Sequence, residues 1–325
     1  MKIVYNLAAY RGWVSFTRGA RVLCAAAVLS GLSACASLIG DAARPLPPQA
    51  TPVPVPGSAP VVVKPAPRPP RIGLALGGGA ARGFAHIGVL QVLEENGIKP
   101  DLVVGTSAGS VVAALYASGK TPVELNTMAM TLDESSITDW VFPGRSLLKG
   151  EALAKFIRTQ TSGKAIEGMR VPLGIVAADL KTGQPILFRR GDVGTAVRAS
   201  SAVPAVFEPV KVDGREYIDG GAVSPVPVRF AHQMGADLVI AVDISAIPEG
   251  QPTKGAVDIL LQTFNIMGHA ISQYEMADAD VVVRPKLQGV GSADFSARRL
   301  SILAGREAML SVMPQLRERI AARTR

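Results

Sequence analysis

The sequence predicts an α/β fold in which parallel strands alternate with helices. Glycine and alanine are abundant, whereas aromatic residues make up only 5% of the 325 residues, which favours tightly packed α/β layers over an aromatic-rich β-sandwich. The segment RIGLALGGGAARGFAHIGVLQVLEENG also starts with an apolar run, breaks at three glycines and continues with helical spacing, and a second apolar run follows at Leu102. Strand, helix and strand in this order form a βαβ unit with parallel strands and a right-handed crossover.

The first unit is predicted to hold an anion-binding turn. Its strand runs from Ile72 to Leu76, and its helix begins near Ala81 and ends at Gly97. Gly77-Gly78-Gly79 at the strand's carboxyl end would leave backbone N–H groups facing a crevice, next to the positive end of the helix dipole. Such a turn binds a phosphate or the oxyanion of an acyl-transfer reaction. The phosphate alternative is disfavoured, because the chain has no phosphate-loop motif and Arg82 stands where the dinucleotide fingerprint has its third glycine.

The second strand leads into a candidate nucleophile. Gly105-Thr106-Ser107-Ala108-Gly109 follows the run that begins at Leu102 and precedes a helix of small residues. The pattern G-x-S-x-G between a strand and a helix is the nucleophile elbow, in which the serine Oγ is exposed on a strained turn at a helix N-terminus. The alternative is a structural turn whose small residues allow a helix and a strand to pack closely. We interpret Ser107 as the nucleophile.

A histidine is the usual base for such a serine, but the histidines of this chain have little local support. His86 lies among apolar residues of the first helix and is predicted to be structural, whereas His232 and His269 lie in later helices. The chain order Ser107, Asp179 and then His232 or His269 would fit an α/β-hydrolase triad, although no local motif supports it.

An aspartate is the stronger candidate for the base. In REYIDGGAVSPVPV, a strand ends before Asp219-Gly220-Gly221, which is predicted to form a sharp loop beside the sheet. A partly buried aspartate with a raised pKa can take the proton of a serine hydroxyl about 3 Å away. Taken alone, however, Asp-Gly is also a common β-turn sequence.

The rest of the chain continues the alternation of strands and helices. Further strands are predicted at Pro172–Ala177, Ile186–Phe188, Val210–Ile218, Leu238–Asp243 and Val281–Arg284, with helices between them. Leu125–Leu132 and Met267–Ile271 are candidate lid or lipid contacts, although their apolar spacing is more typical of a core. Ser296–Arg323 is predicted to be a solvated amphipathic helix rich in arginine, with contact to anionic lipid as the lesser alternative.

Taken together, G-G-G-x-x-R-G, G-T-S-A-G and D-G-G in this order resemble the patatin-like phospholipase family, in its bacterial neuropathy-target-esterase-like branch. The resemblance extends to HIGVLQVLEENGI and RASSAVPAVFEPV and covers roughly Arg71 to Arg284. It implies a three-layer α/β sandwich with a mostly parallel central sheet. D-G-G departs from the D-G-A of the plant members at Gly221.

The resemblance also implies a Ser–Asp dyad with Ser107 as nucleophile and Asp219 as base. Gly77, Gly78 and Gly79 would supply the N–H groups of an oxyanion hole, and Arg82 would orient that loop or meet a lipid phosphate. Gly105, Gly109 and Gly220 would support the two turns. No metal or other cofactor is expected, since neither calcium-loop nor zinc-ligand spacing occurs in the sequence.

The function that follows is hydrolysis of lipid acyl esters, of the phospholipase A or lysophospholipase type, on a membrane lipid or lysolipid. One alternative is a lipid acyltransferase that uses the same dyad, and the other is a non-catalytic envelope lipoprotein that binds acyl chains. Nucleic-acid binding is not expected, because four of the eight excess positive charges lie in residues 1–34 and no basic stripe has interleaved aromatic residues.

The N-terminal seventy residues have the pattern of an address and a tether. Residues 1–34 combine basic residues with a short apolar segment, as in a signal peptide, and end in Leu-Ser-Ala before Cys35. This ending resembles a bacterial lipobox and implies a lipidated Cys35 that anchors the protein to the outer membrane, facing the periplasm. Residues 35–70 are proline-rich and predicted to be an extended tether, and residues 71–325 form the predicted hydrolase domain. That domain contains no cysteine, so it has no thiol nucleophile and no disulfide.

Overall fold

The structure, a computed structural model, describes residues 68–141, 146–249 and 253–324. The predicted signal peptide, the lipidation of Cys35 and the tether up to residue 67 therefore lie outside the described residues. Within the described residues no helix combines the length and the apolar character needed to cross a membrane.

A single mixed sheet forms the centre of the described chain. Its strands are β1 (Ile72–Leu76), β2 (Leu102–Thr106), β3 (Leu173–Asp179), β4 (Pro185–Phe188), β5 (Val210–Val212), β6 (Arg215–Asp219), β7 (Leu238–Val242) and β8 (Val281–Val283). Their order is β5-β6-β3-β2-β1-β7-β8, and β4 pairs with β3 outside this path. The neighbours in the part of this order that reads β3-β2-β1-β7-β8 are parallel. In contrast, β4 and β6 run antiparallel to β3, and β5 runs antiparallel to β6.

Helices cover both faces of this sheet. They are α1 (Ala85–Glu95), α2 (Ala108–Ala117), α3 (Pro122–Thr131), α4 (Glu151–Gln160), α5 (Val193–Ser200), α6 (Val228–Gln233), α7 (Ala256–Met276) and α8 (Arg298–Arg323). Because successive strand residues point to opposite faces, Leu74 and Leu76 pack with α1, α2 and α8, whereas Ala75 packs with α6 and the end of α7. The predicted three-layer α/β fold with a mostly parallel sheet is confirmed.

The structure corrects two predicted elements. The single strand expected at Val210–Ile218 is a hairpin, because Asp213 and Gly214 both have positive φ (49° and 80°) and form a two-residue turn between β5 and β6. Two-residue hairpin turns need positive φ at both central positions, which Asp-Gly supplies. The first helical turn is also tighter than predicted, since residues Ala80–Phe84 form a 3₁₀ turn before α1 begins.

The C-terminal helix contributes more to the core than its sequence predicts. Ile302, Met309 and Leu316 of α8 are buried in the cluster that contains α1. The two helices cross so closely that a Cβ added to Gly305 would lie 2.0 Å from the Ala85 carbonyl oxygen. The expectation of a solvated helix is therefore wrong for this face of α8, which packs as a core element.

Candidate active site

Ser107 lies at the turn between β2 and α2 with a backbone conformation that is unusual for a serine. Its φ is 53° and its ψ is −125°, a strained combination of the kind found at functional turns. The flanking glycines make room for the turn. A Cβ added at Gly109 would lie 2.1 Å from the Leu76 carbonyl oxygen, and a Cβ added at Gly105 would lie 2.4 Å from the Gly109 carbonyl oxygen. The G-x-S-x-G pattern thus produces the elbow that it predicts.

Asp219 reaches Ser107 from the antiparallel part of the sheet. Strand β3 lies between β2 and β6. Asp219, at the end of β6, is paired with Ala177 of β3, and Thr106, at the end of β2, is paired with the neighbouring Val176 of β3. The two side chains meet across β3, where the Ser107 hydroxyl donates a 2.6 Å hydrogen bond to Asp219 Oδ2. After Asp219 the chain passes Gly220, whose added Cβ would lie only 2.3 Å from the Val176 carbonyl oxygen.

The surroundings of Asp219 make it more basic than an ordinary carboxylate. The residue is 1% exposed, and burial raises its pKa from 3.8 to about 6. Hydrogen bonds from the Ser107 hydroxyl and from the Gly221 N–H, which donates to Oδ1 at 2.7 Å, partly offset this rise in pKa. Asp219 is therefore ionised at neutral pH, yet it is a far better proton acceptor than a solvated aspartate.

Ser200 is a supporting residue that the sequence did not single out. The Ser107 N–H donates to Ser200 Oγ at 2.9 Å, and the Ser200 hydroxyl donates to the Val176 carbonyl oxygen at 2.5 Å. Ser200 is fully buried at the end of α5, so this bridge fastens the strained turn to β3. The signal was present in the segment RASSAVP, but nothing local distinguishes Ser200 from Ser201.

The glycine loop lies against the serine, and its N–H groups are not equivalent. A Cβ at Gly78 would lie 3.1 Å from Ser107 Cβ. However, the Gly77 N–H donates to the Val242 carbonyl oxygen at 3.0 Å and the Gly78 N–H donates to that of Pro225 at 2.9 Å. In this conformation those two amides hold the loop in place. Within the described chain, the N–H groups of Gly79, Ala80 and Ala108 make no hydrogen bond.

Arg82 is buried behind the loop and does not face solvent. It is 4% exposed, its Nε donates to the Ile244 carbonyl oxygen at 2.9 Å, and Nη1 donates to that of Val290 at 3.4 Å. Burial lowers the pKa of the guanidinium, and nearby Asp243 raises it. Of the two roles predicted for Arg82, this geometry fits orientation of the loop and does not fit contact with a lipid phosphate.

Ser107 makes no hydrogen bond with a histidine within the described chain. His86 is fully buried, its Nε2 lies 2.8 Å from the Gly77 carbonyl oxygen, and burial lowers its pKa to about 4, so it is neutral and structural. His232 Nε2 contacts the Asp278 carbonyl oxygen at 3.1 Å. Asp179 accepts hydrogen bonds from Lys181, Thr182 and Arg215.

The two candidate lid segments differ in position. Leu125 and Ala129 are buried in the core, so α3 packs mainly as a structural helix. Helix α7 lies over the turn after Asp219, where a Cβ at Gly221 would be 3.3 Å from the Phe264 ring. Ile266 and Met267 of α7 are 50% and 55% exposed. No cluster of side chains suited to a metal ion occurs in the part of the chain that the structure describes.

Fold and site together define an α/β protein with an elbow serine that hydrogen-bonds directly to a buried aspartate. Residues 74–232 match the patatin-like phospholipase family. Over 206 residues the chain is 36% identical to an uncharacterized NTE family protein of Mycobacterium bovis, covering 62% of this chain and 57% of that protein. Over 186 residues it is 36% identical to patatin-like phospholipase domain-containing protein 6 of Mus musculus, covering 55% of this chain and 14% of that protein.

Residues 74–232 are thus a patatin-like phospholipase domain, and NTE family proteins are among the relatives of this chain. The chain spans little more than half the length of the mycobacterial relative. Its fold is also similar to the crystal structure of VipD from Legionella pneumophila, with a TM-score of 0.50 and 13% identity over 76% of this chain and 67% of that chain. At this identity the likeness supports the fold alone.

Proposed function

We propose that this protein is a serine hydrolase of lipid acyl esters, of the phospholipase A or lysophospholipase type. The observation that carries the proposal is the 2.6 Å hydrogen bond from the strained Ser107 to the buried Asp219. A structural turn needs neither a strained serine nor a carboxylate whose pKa is raised to about 6. The relatives named for phospholipases support a lipid ester as the substrate class.

In the first proposed step, Ser107 Oγ attacks the carbonyl carbon of the ester. The hydroxyl proton passes to Asp219 Oδ2 along the existing hydrogen bond as the new C–O bond forms. The Gly221 N–H keeps Oδ1 in place, so Oδ2 stays directed at the serine. Because the acceptor is buried beside its donor, no reorganisation of solvent is needed for this transfer.

The carbonyl oxygen becomes an oxyanion and needs N–H donors. We infer that Gly79 is the donor among the three loop glycines, with Ala80 and Ala108 as neighbouring candidates, because their N–H groups have no other partner in the described chain. Ala108 opens α2, so the positive end of that helix adds to the stabilisation. Loss of one such donor lowers the rate by roughly 10²–10³-fold.

In the second step the intermediate collapses and the alcohol leaves. The proton on Asp219 passes to the departing oxygen, which leaves an acyl-enzyme on Ser107. Water then attacks the acyl carbon, and Asp219 takes its proton. When this second intermediate collapses, the bond to Ser107 Oγ breaks, the proton passes from Asp219 to Oγ, and the fatty acid is released. The Phe264 ring of α7, which lies against Gly221 beside the site, would contact the acyl chain of the arriving lipid.

Labelling with a fluorophosphonate probe tests the proposal directly. Wild type should be labelled, and Ser107→Ala and Asp219→Asn should not. Asp179→Asn is a matched control, since it changes a second buried aspartate at the end of a strand whose partners are Lys181, Thr182 and Arg215. Normal labelling of folded Asp219→Asn would exclude Asp219 as the base. Absence of labelling in folded wild type would exclude an activated serine.

Product analysis with a phosphatidylcholine and a lysophosphatidylcholine then identifies the acceptor of the acyl group. Free fatty acid as the main product supports hydrolysis, whereas a newly acylated lipid would support acyl transfer.

Attachment to the outer membrane through a lipidated Cys35 stays a prediction from sequence. We expect Cys35→Ser to abolish incorporation of labelled palmitate and to release the protein from the membrane fraction.

A further inference from the structure

We propose that Glu275 is a positioning residue for the proposed hydrolase, acting through the loop Val223–Val226. This inference rests on the function proposed above and adds to it a residue of α7. The Glu275 carboxylate accepts hydrogen bonds from the Ser224 hydroxyl and, at 3.0 Å, from the Val226 N–H. Only 10% of its side chain is exposed, so one helix holds the loop at two successive points through a single, nearly buried carboxylate.

The loop that Glu275 holds touches all three parts of the candidate site. The Ser224 N–H donates to the Gly220 carbonyl oxygen at 2.8 Å, immediately after Asp219. The Thr106 hydroxyl, immediately before Ser107, donates to the Ser224 carbonyl oxygen at 2.8 Å. The Pro225 carbonyl oxygen accepts the 2.9 Å bond from the Gly78 N–H. A shift of this short loop would therefore move the base, the nucleophile and the glycine loop together.

A carboxylate suits this role better than a neutral side chain does. Its two oxygens accept the two bonds at once, and hydrogen bonds to a charged acceptor are stronger than neutral ones. Arg229 of α6, with Nε 3.8 Å from Oε1, is the charged side chain that faces Glu275 within the described chain. The guanidinium is half exposed, so its contribution is screened by solvent.

Protonation of Glu275 would weaken the anchor. Burial raises its pKa to about 7, and the bonds from Ser224 and Val226 and the charge of Arg229 partly offset the rise. Above this pH both oxygens accept hydrogen bonds, whereas below it one of them carries a proton and is a poor acceptor. Glu275→Gln reproduces the protonated state at every pH, because the amide nitrogen of glutamine cannot accept.

The experiment compares the full-length wild type with Glu275→Gln on a short, soluble p-nitrophenyl ester across a range of pH. We expect Glu275→Gln to lower kcat about tenfold above about pH 8 and to leave KM within twofold, because the reacting groups are displaced without loss of a substrate contact. The variant should also lose the step in kcat near pH 7 and keep the step near pH 6 that belongs to Asp219. Asp258→Asn is the matched control, since it removes another carboxylate of α7, one that accepts from the Gly255 N–H at the far end of the helix.

Hydrogen exchange separates failure of this inference from failure of the proposed function. Glu275→Gln should accelerate exchange in peptides that contain Gly78 and Val226, and Asp258→Asn should not. Unchanged exchange at Gly78, together with a kcat within twofold of wild type and an unchanged pH profile, would overturn the positioning role. If folded wild type hydrolyses no ester, the proposed function fails by itself, and exchange at Gly78 still decides whether Glu275 anchors the loop.

Discussion

The proposed nucleophile and the proposed base are placed in the site in different ways. Ser107 lies in the parallel half of the sheet, on a turn whose flanking glycines, Gly105 and Gly109, are within two positions of it in the chain. Asp219 comes from the antiparallel half, and its contact with Ser107 joins residues 112 positions apart. The turn at the serine is therefore marked by a local sequence pattern, whereas the position and the pKa of the aspartate depend on the folded sheet.

The largest expected effect is the loss of activity when either side chain is removed. Ser107→Ala and Asp219→Asn should each lower the rate of ester hydrolysis by roughly 10³–10⁴-fold, and the double variant should be no worse than the single ones, because the pair acts as a unit. Steady-state kinetics of the four proteins checks this. Additive losses would mean that the two residues act in separate steps.

Stability should distinguish the same two variants. The pKa of Asp219 is about 6 when folded and 3.8 in its ordinary state, so its contribution to stability is complete below about pH 4 and is lost as pH rises through 6. Asparagine has no charge to bury, so Asp219→Asn removes that loss. We therefore expect the change in unfolding free energy caused by the substitution to be more favourable at about pH 8 than at about pH 4 by roughly 2–3 kcal/mol. Urea unfolding at both pH values measures this difference. Ser107→Ala serves as the comparison, and an equal effect of Asp219→Asn at both pH values would contradict the buried charge.

Steric tolerance should also differ between the two turns. Gly109→Ala places a Cβ 2.1 Å from the Leu76 carbonyl oxygen, and we expect it to destabilise the fold by about 3 kcal/mol or more. Gly221→Ala meets Asp219 Oδ1 at 3.0 Å and the Phe264 ring at 3.3 Å, so small shifts should limit its effect to about 1 kcal/mol. Thermal unfolding of both variants tests the contrast. A fully stable Gly109→Ala protein would show that the elbow is less confined than its geometry indicates.

The smallest expected effect on the reaction concerns the hydrogen-bonded bridge that Ser200 forms between Ser107 and β3. Ser200→Ala leaves the Ser107 N–H without its partner and should reduce stability by about 1–3 kcal/mol, with a severalfold slower fluorophosphonate labelling. Ser118→Ala is a suitable control, because that hydroxyl donates only to Leu115 within its own helix end. Equal labelling rates in the two variants would assign Ser200 a purely structural role.

The sequence alone was sufficient for the parts of this protein that are locally encoded. Apolar runs followed by glycines predicted β1 and β2, and G-x-S-x-G predicted the elbow at Ser107, because the strain of such a turn is relieved by neighbours in the chain. The order of three motifs predicted the pairing of Ser107 with Asp219 only through resemblance to a family. Asp213-Gly214 is also a turn sequence, although the apolar residues around it predict one strand from Val210 to Ile218.

Only the tertiary structure decided the properties that depend on distant segments. Burial beneath packed elements raises the pKa of Asp219, and a strand that runs antiparallel to β3 delivers its carboxylate to the serine. The Gly77 N–H donates to the Val242 carbonyl oxygen and the Gly78 N–H donates to the Pro225 carbonyl oxygen, whereas the Gly79 N–H has no partner in the described chain. Ser200 and Glu275 matter for the same reason, since a hydrogen bond across the fold depends on which groups packing brings within 3 Å, and local sequence does not specify that.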